Sequence, residues 1–95
     1  MRYKAVFHVD QKDEQILQLA LNNVTNLLNA IPGQEHDLVV LLNGPAVALM
    51  AGAAASFGEK VRGLAAQGVR FQVCANALQR FEVSREACWR NVRLF

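Results

Sequence analysis

Apolar and polar positions alternate along the chain at two different periods, and the change of period divides it into elements. Residues 3 to 9, Tyr-Lys-Ala-Val-Phe-His-Val, are rich in aromatic and β-branched side chains and predict a first strand. Asp10 to Glu14 form a polar turn. Within it Asp13 is a candidate N-cap, and the acidic residue after it suits the positive end of a helix. From Gln15 onward Ile16, Leu17, Ala20, Leu21, Val24, Leu27, Leu28 and Ile31 recur mostly at intervals of three and four. That spacing predicts an amphipathic helix, ended by Pro32-Gly33.

Leu38-Val39-Val40-Leu41-Leu42 is apolar without alternation, which predicts a central strand covered on both faces in a parallel sheet. Asn43-Gly44-Pro45 is a turn at its carboxyl end, and Ala46 to Ala51 suit a short helical turn. Ser56 to Gln67 read as a helix with Phe57, Val61, Leu64 and Ala65 on one side, closed by Gly68. Residues 69 to 73, Val-Arg-Phe-Gln-Val, alternate as a third strand and run into Cys74-Ala75-Asn76. Ala77 to Phe81 suit the start of a short helix. Ser84 is a candidate cap for a segment containing Ala87 and Cys88, and residues 91 to 95 are strand-like or irregular.

The order is β-α-β-α-β-α with a possible short final strand. Strands alternating with helices imply right-handed crossovers and a mostly parallel sheet of the flavodoxin-like, doubly wound class. In such sheets ligands bind at the carboxyl ends of the strands, beside a switch in strand order. His8 to Lys12, Asn43 to Ala46 and Cys74 to Asn76 are the stretches expected there.

Composition narrows the function classes. The length of 95 residues suits one domain, residues 1–95, and 53% apolar against 19% charged residues argues against disorder. The apolar excess is more than a small core needs, so burial between copies in a homo-oligomer is expected. The net charge of +2 comes with scattered lysines and an arginine-enriched tail (Arg80, Arg85, Arg90, Arg93) diluted by Glu82 and Glu86, which gives no nucleic-acid-binding stripe. The tail reads as a solvated face or a salt-bridged subunit contact, with an anion-attracting rim around a site as the alternative. Neither a secretory signal nor an 18-residue apolar span is present, so the expectation is a cytoplasmic protein with no membrane association. There Cys74 and Cys88 are expected as free thiols.

Cys74 is the sharpest candidate for chemistry. It lies at a strand end before a turn or helix start, where backbone N–H groups favour the reactive thiolate. Acyl transfer, disulfide exchange and persulfide carriage all need such a group, and an inert buried thiol is the competing reading. Cys88, beside Trp89, reads as core or interface. Asn43 and Asn76 can offer amides near the same edge or serve as ordinary turn residues. Gly44-Pro45 shapes the loop and can present N–H groups to an anion. His8 can point into the crevice as a base or donor, or sit satisfied in the strand. Asp10 can orient a polar group or cap the turn. His36 precedes the second strand, away from that edge. No Walker A loop, dinucleotide-binding fingerprint or metal-ligand spacing occurs.

Several of these stretches together carry a resemblance. Phe7-His8-Val9, Ala20-Leu21-Asn22-Asn23 with Leu27-Leu28, Val39-Val40-Leu41-Leu42-Asn43-Gly44-Pro45, and the run from Gly68 through Cys74-Ala75-Asn76-Ala77-Leu78 resemble the DsrE/DsrF-like family, including its YchN-like branch. The resemblance spans roughly residues 2 to 88. It implies a three-layer α/β/α fold and assembly into trimers or hexamers. It also implies a role in intracellular sulfur relay without metal or organic cofactor. The family's carrier cysteine maps onto Cys74, with Asn43-Gly44-Pro45 and the region near His8 as the surrounding walls. Members continue with a closing strand, a helix and an aromatic-containing segment, so this domain is short or truncated by comparison. The leading expectation is a persulfide carrier or sulfurtransferase-like protein. Cys74 would carry the sulfur, Asn76, His8 and Asp10 would support it, and a thiol-bearing donor or acceptor protein would be the partner. The alternative is a non-catalytic homo-oligomeric module that binds a small molecule or a protein.

Overall fold

A computed structural model describes residues 2–50, 57–84 and 92–94. Strand β1 (Tyr3–Val9) leads to helix α1 (Glu14–Ala30) and strand β2 (His36–Leu42), followed by a 3-10 helix (Gly44–Met50). Helix α2 (Gly58–Ala66), strand β3 (Arg70–Val73), helix α3 (Ala75–Arg80) and strand β4 (Val92–Leu94) complete the described elements. The expectations placed on Ala51, Ser56, Ala87, Cys88 and Trp89 fall outside the described residues.

All pairings are parallel, and the strand order across the sheet is β1-β2-β3-β4. The α/β class with a mostly parallel sheet and flanking helices is therefore present. The strand order differs from the flavodoxin-like expectation. It follows the chain without reversal, so among the described residues the carboxyl edge has no switch point. Right-handed crossovers that all step the same way set their helices on one face of the sheet.

Burial follows that geometry. Phe7, Val40, Phe71 and Val92 stand in register on the inner face. With Val9, Leu38, Leu42 and Val73 they pack against Leu17, Leu21 and Val24 of α1, Val61 and Leu64 of α2, and Val47 and Met50. On the outer face lie Lys4, Val6 and His8, then Asp37, Val39 and Leu41, then Arg70, Gln72 and Arg93. There Val6 is 65% exposed, while Val39, flanked by two strands, is only 9% exposed. Arg70 forms an ion pair with Asp37 on this face. The second helical layer of a three-layer fold is not among the described residues.

Local rules explain the helix ends. The Asp13 carboxylate accepts from the Gln15 N–H at 2.8 Å and caps α1, while Gly33 at φ +73° turns the chain away. At the end of α2 the Gly68 N–H donates to Ala65 O and the Val69 N–H to Leu64 O, the paired closure of a Schellman motif. Gly68 sits at φ +94°. The His36 ring lies against it, with Nδ1 buried and without a partner. After α3 the same pattern recurs, from Glu82 N–H to Gln79 O and from Val83 N–H to Leu78 O, with Glu82 at φ +55°. No described helix is long and apolar enough to cross a membrane.

Candidate functional site at the carboxyl edge

Two hydrogen bonds carry the parallel ladder one residue past the strands. Asn43 N–H donates to Val9 O at 3.0 Å and Cys74 N–H to Leu42 O at 3.2 Å. Asp10, Asn43 and Cys74 are thereby neighbours along the sheet's carboxyl edge. The Gly44 N–H is taken by the Asn43 side-chain oxygen at 2.8 Å, which folds the loop back on itself. Gly44 itself sits at φ +55°, where a Cβ would meet Asp10 O at 3.5 Å. The loop then enters the 3-10 helix through Pro45, whose fixed φ suits a helical first turn.

Cys74 is the N-cap of α3, with extended backbone (φ −72°, ψ 120°). Its carbonyl accepts the Leu78 N–H at 3.1 Å, but its thiol makes no capping hydrogen bond. The thiol is free and half-buried against the core. A cavity of about 290 Å³ opens above it, lined by Asn43, Gly44, Pro45, Cys74, Asn76, Ala77, Arg80 and Phe81. Its walls are mostly apolar, and among the described residues no acidic side chain lines it.

Of the residues singled out in the sequence, Cys74, Asn76, Asn43, Gly44 and Pro45 share this cavity. His8 does not. Val9 is buried in the core, so the alternation of the strand turns His8 to the outer face, where it is exposed. Asp10 is also exposed, and its main-chain oxygen lies beside Gly44. Arg80 and Phe81 also line the cavity. Arg80 belongs to the arginine-enriched tail whose alternative reading is an anion-attracting rim, whereas nothing in the sequence singled out Phe81. The available signal was helical spacing: Ala77 and Phe81 fall three and seven residues after Cys74, on one face of α3.

Two larger cavities open at the amino edge. One, of about 420 Å³, is lined by Gly68, Arg70, Val92 and Arg93 among others, and the other, of about 350 Å³, by Ile31, Pro32, His36 and Gln67. Neither contains a nucleophilic thiol, so size does not select the site here. No group of three or more metal-ligating side chains occurs among the described residues.

The fold recurs in solved structures. The chain superimposes on MTH1491, a protein of unknown function from Methanobacterium thermoautotrophicum, with a TM-score of 0.85 at 27% identity. That match covers 98% of this chain and 81% of the other. The ychN protein from E. coli matches with a TM-score of 0.74 at 18% identity, covering 100% of this chain and 85% of that one. The expected DsrE/DsrF-like topology, in its YchN-like form, is thus the fold of this chain. No protein-family model matches the chain, and no curated protein matches it by sequence.

Proposed function

We propose that the chain is a DsrE/DsrF-like sulfur carrier that holds sulfane sulfur as a persulfide on Cys74. The observation that carries this reading is a free, half-buried thiol at the foot of a ligand-sized cavity, on the carboxyl edge of a parallel sheet. The Cys74 thiolate attacks the outer sulfur of a donor, displaces the remainder and later yields that sulfur to an acceptor thiol. Asn76 at the rim supplies amide donors to the anionic persulfide, and the apolar walls shield it from water. The reading needs neither a metal nor an organic cofactor.

Its partners are a thiol-bearing donor or acceptor protein and further copies of the chain. The outer sheet face favours self-assembly, because it leaves Val6 largely exposed beside Val39 in a fold class that covers its sheets. Light scattering on a sizing column is expected to give a mass above that of one chain.

Intact-protein mass spectrometry after incubation with a sulfane-sulfur donor tests the carrier. One added sulfur atom, removed by reductant and lost in Cys74→Ser but not in Cys88→Ser, is the expected result. A protein whose Cys74 loads from no small or protein donor is a binding module instead.

A further inference from the structure

Persulfide chemistry requires a thiol, yet the cavity supplies two further features. Arg80 lines it and makes no ion pair or hydrogen bond among the described residues. Beside it Phe81 is 39% exposed, a ring left facing the opening rather than the core. Pro45 and Ala77 extend the apolar wall. One cation, an aromatic ring and apolar walls around a nucleophile describe a ligand with one negative charge and an apolar body.

We propose that Arg80 and Phe81 select an organic thiosulfonate, R–SO₂–S⁻, as the small-molecule sulfur donor. The inference rests on Cys74 being the carrier. The guanidinium fork matches the sulfonyl oxygens in the two-pronged way it matches other oxyanions. The R group packs on Phe81 and Pro45. Charge count decides against inorganic thiosulfate. That dianion would bring a further charge, with its hydration, beside the Cys74 thiolate and against walls in which Arg80 is the one charged lining side chain among the described residues apart from that thiolate.

The step balances without a further reagent. Cys74 loses its proton to solvent, and the thiolate attacks the outer sulfur of the donor. The new bond joins Sγ to that sulfur as the bond from the outer sulfur to the sulfonyl sulfur breaks. The bonding pair leaves with the sulfonyl group, giving R–SO₂⁻ and Cys74–S–S⁻. One anion enters and one anion leaves beside the Cys74 thiolate and then its persulfide, so the total charge is unchanged across the step. Arg80 faces the sulfonyl group of the donor and then the departing sulfinate.

The test measures loading rates of wild-type protein, Arg80→Gln, Arg80→Lys and Phe81→Leu by mass spectrometry. Three donors are compared: benzenethiosulfonate, thiosulfate and an uncharged organic trisulfide. Wild type should load from benzenethiosulfonate about tenfold or more faster than from thiosulfate. In Arg80→Gln the ratio of thiosulfonate to trisulfide rates should fall about tenfold, the worth of one charge-assisted contact. Arg80→Lys should restore most of that ratio. Phe81→Leu should weaken saturation by benzenethiosulfonate more than by a methyl analogue. Loading from the trisulfide but not from the thiosulfonate overturns this proposal and leaves the carrier standing. Equal rates with thiosulfate, or an unchanged ratio in Arg80→Gln, overturn it too. Loading from none of the donors removes the carrier reading and this one with it.

Discussion

Strand β3 is flanked by two helices that end in the same hydrogen-bond pattern but place different residues at its left-handed position. After α2 that residue is Gly68, at φ +94°. After α3 it is Glu82, at φ +55°. Glycine adopts such angles freely, whereas a residue with a Cβ pays about 1–2 kcal/mol there. Gly68 is fixed a second time by packing, because an added Cβ would lie 3.2 Å from the His36 ring. The amino end of β3 is thus shaped for stability. At the carboxyl end the chain accepts a strained residue immediately after Arg80 and Phe81, the two side chains that α3 carries to the cavity. Strain beside a ligand-sized cavity is a common mark of a functional region.

The sharpest way to break this contrast is to change the carboxyl end and look for a loss of stability. Cys74→Ser should abolish sulfur loading while shifting the urea midpoint by less than about 1 kcal/mol of stability. A large destabilisation would make Cys74 a packing residue. Gly68→Ala should do the opposite. It should lower stability by about 1–3 kcal/mol, through the left-handed φ and the contact with His36, and leave loading at Cys74 measurable. Glu82→Gly should raise stability by up to about 1 kcal/mol, the strain released less the added freedom of the unfolded chain. A decrease would show that the Glu82 side chain contributes more than its backbone strain removes. The smallest effect belongs to Asp37→Asn, which breaks the ion pair to Arg70. A loss of less than about 1 kcal/mol, shrinking as salt is added, is expected for so exposed a pair.

Much of the fold is written in local pattern. The three-and-four spacing from Ile16 to Ile31, with Asp13 before it and Pro32-Gly33 after it, bounds α1 nearly to the residue. β2 begins at His36, ahead of its apolar run, because Tyr3 and Lys4 pair with His36 and Asp37. Side-chain hydrophobicity does not record that backbone pairing. α3 begins at Ala75 rather than Ala77, since the Cys74 carbonyl already accepts the Leu78 N–H. Strand order was not legible, because alternating strands and helices fit both a chain-ordered sheet and one that reverses.

The cavity divides the same way. Cys74 and the Asn43-Gly44-Pro45 turn could be placed together because both end strands of one parallel sheet. The alternation that puts Val9 in the core already turns His8 away, so that assignment could have been tested by strand period alone. Arg80 and Phe81 depend on how a six-residue helix passes the loop at Pro45, a tertiary fact with only a faint trace in spacing.

The unbroken strand order also bears on how the chain finds its structure. Each strand docks beside the one before it, so no strand waits for a later segment to arrive between itself and its neighbour. Assembly can then run like a zipper from β1, each crossover closing a loop of similar modest length onto an edge already in place. A chain emerging from the ribosome could settle β1, α1 and β2 before Cys74 has been synthesised, so its thiol would meet a sheet edge that is already formed.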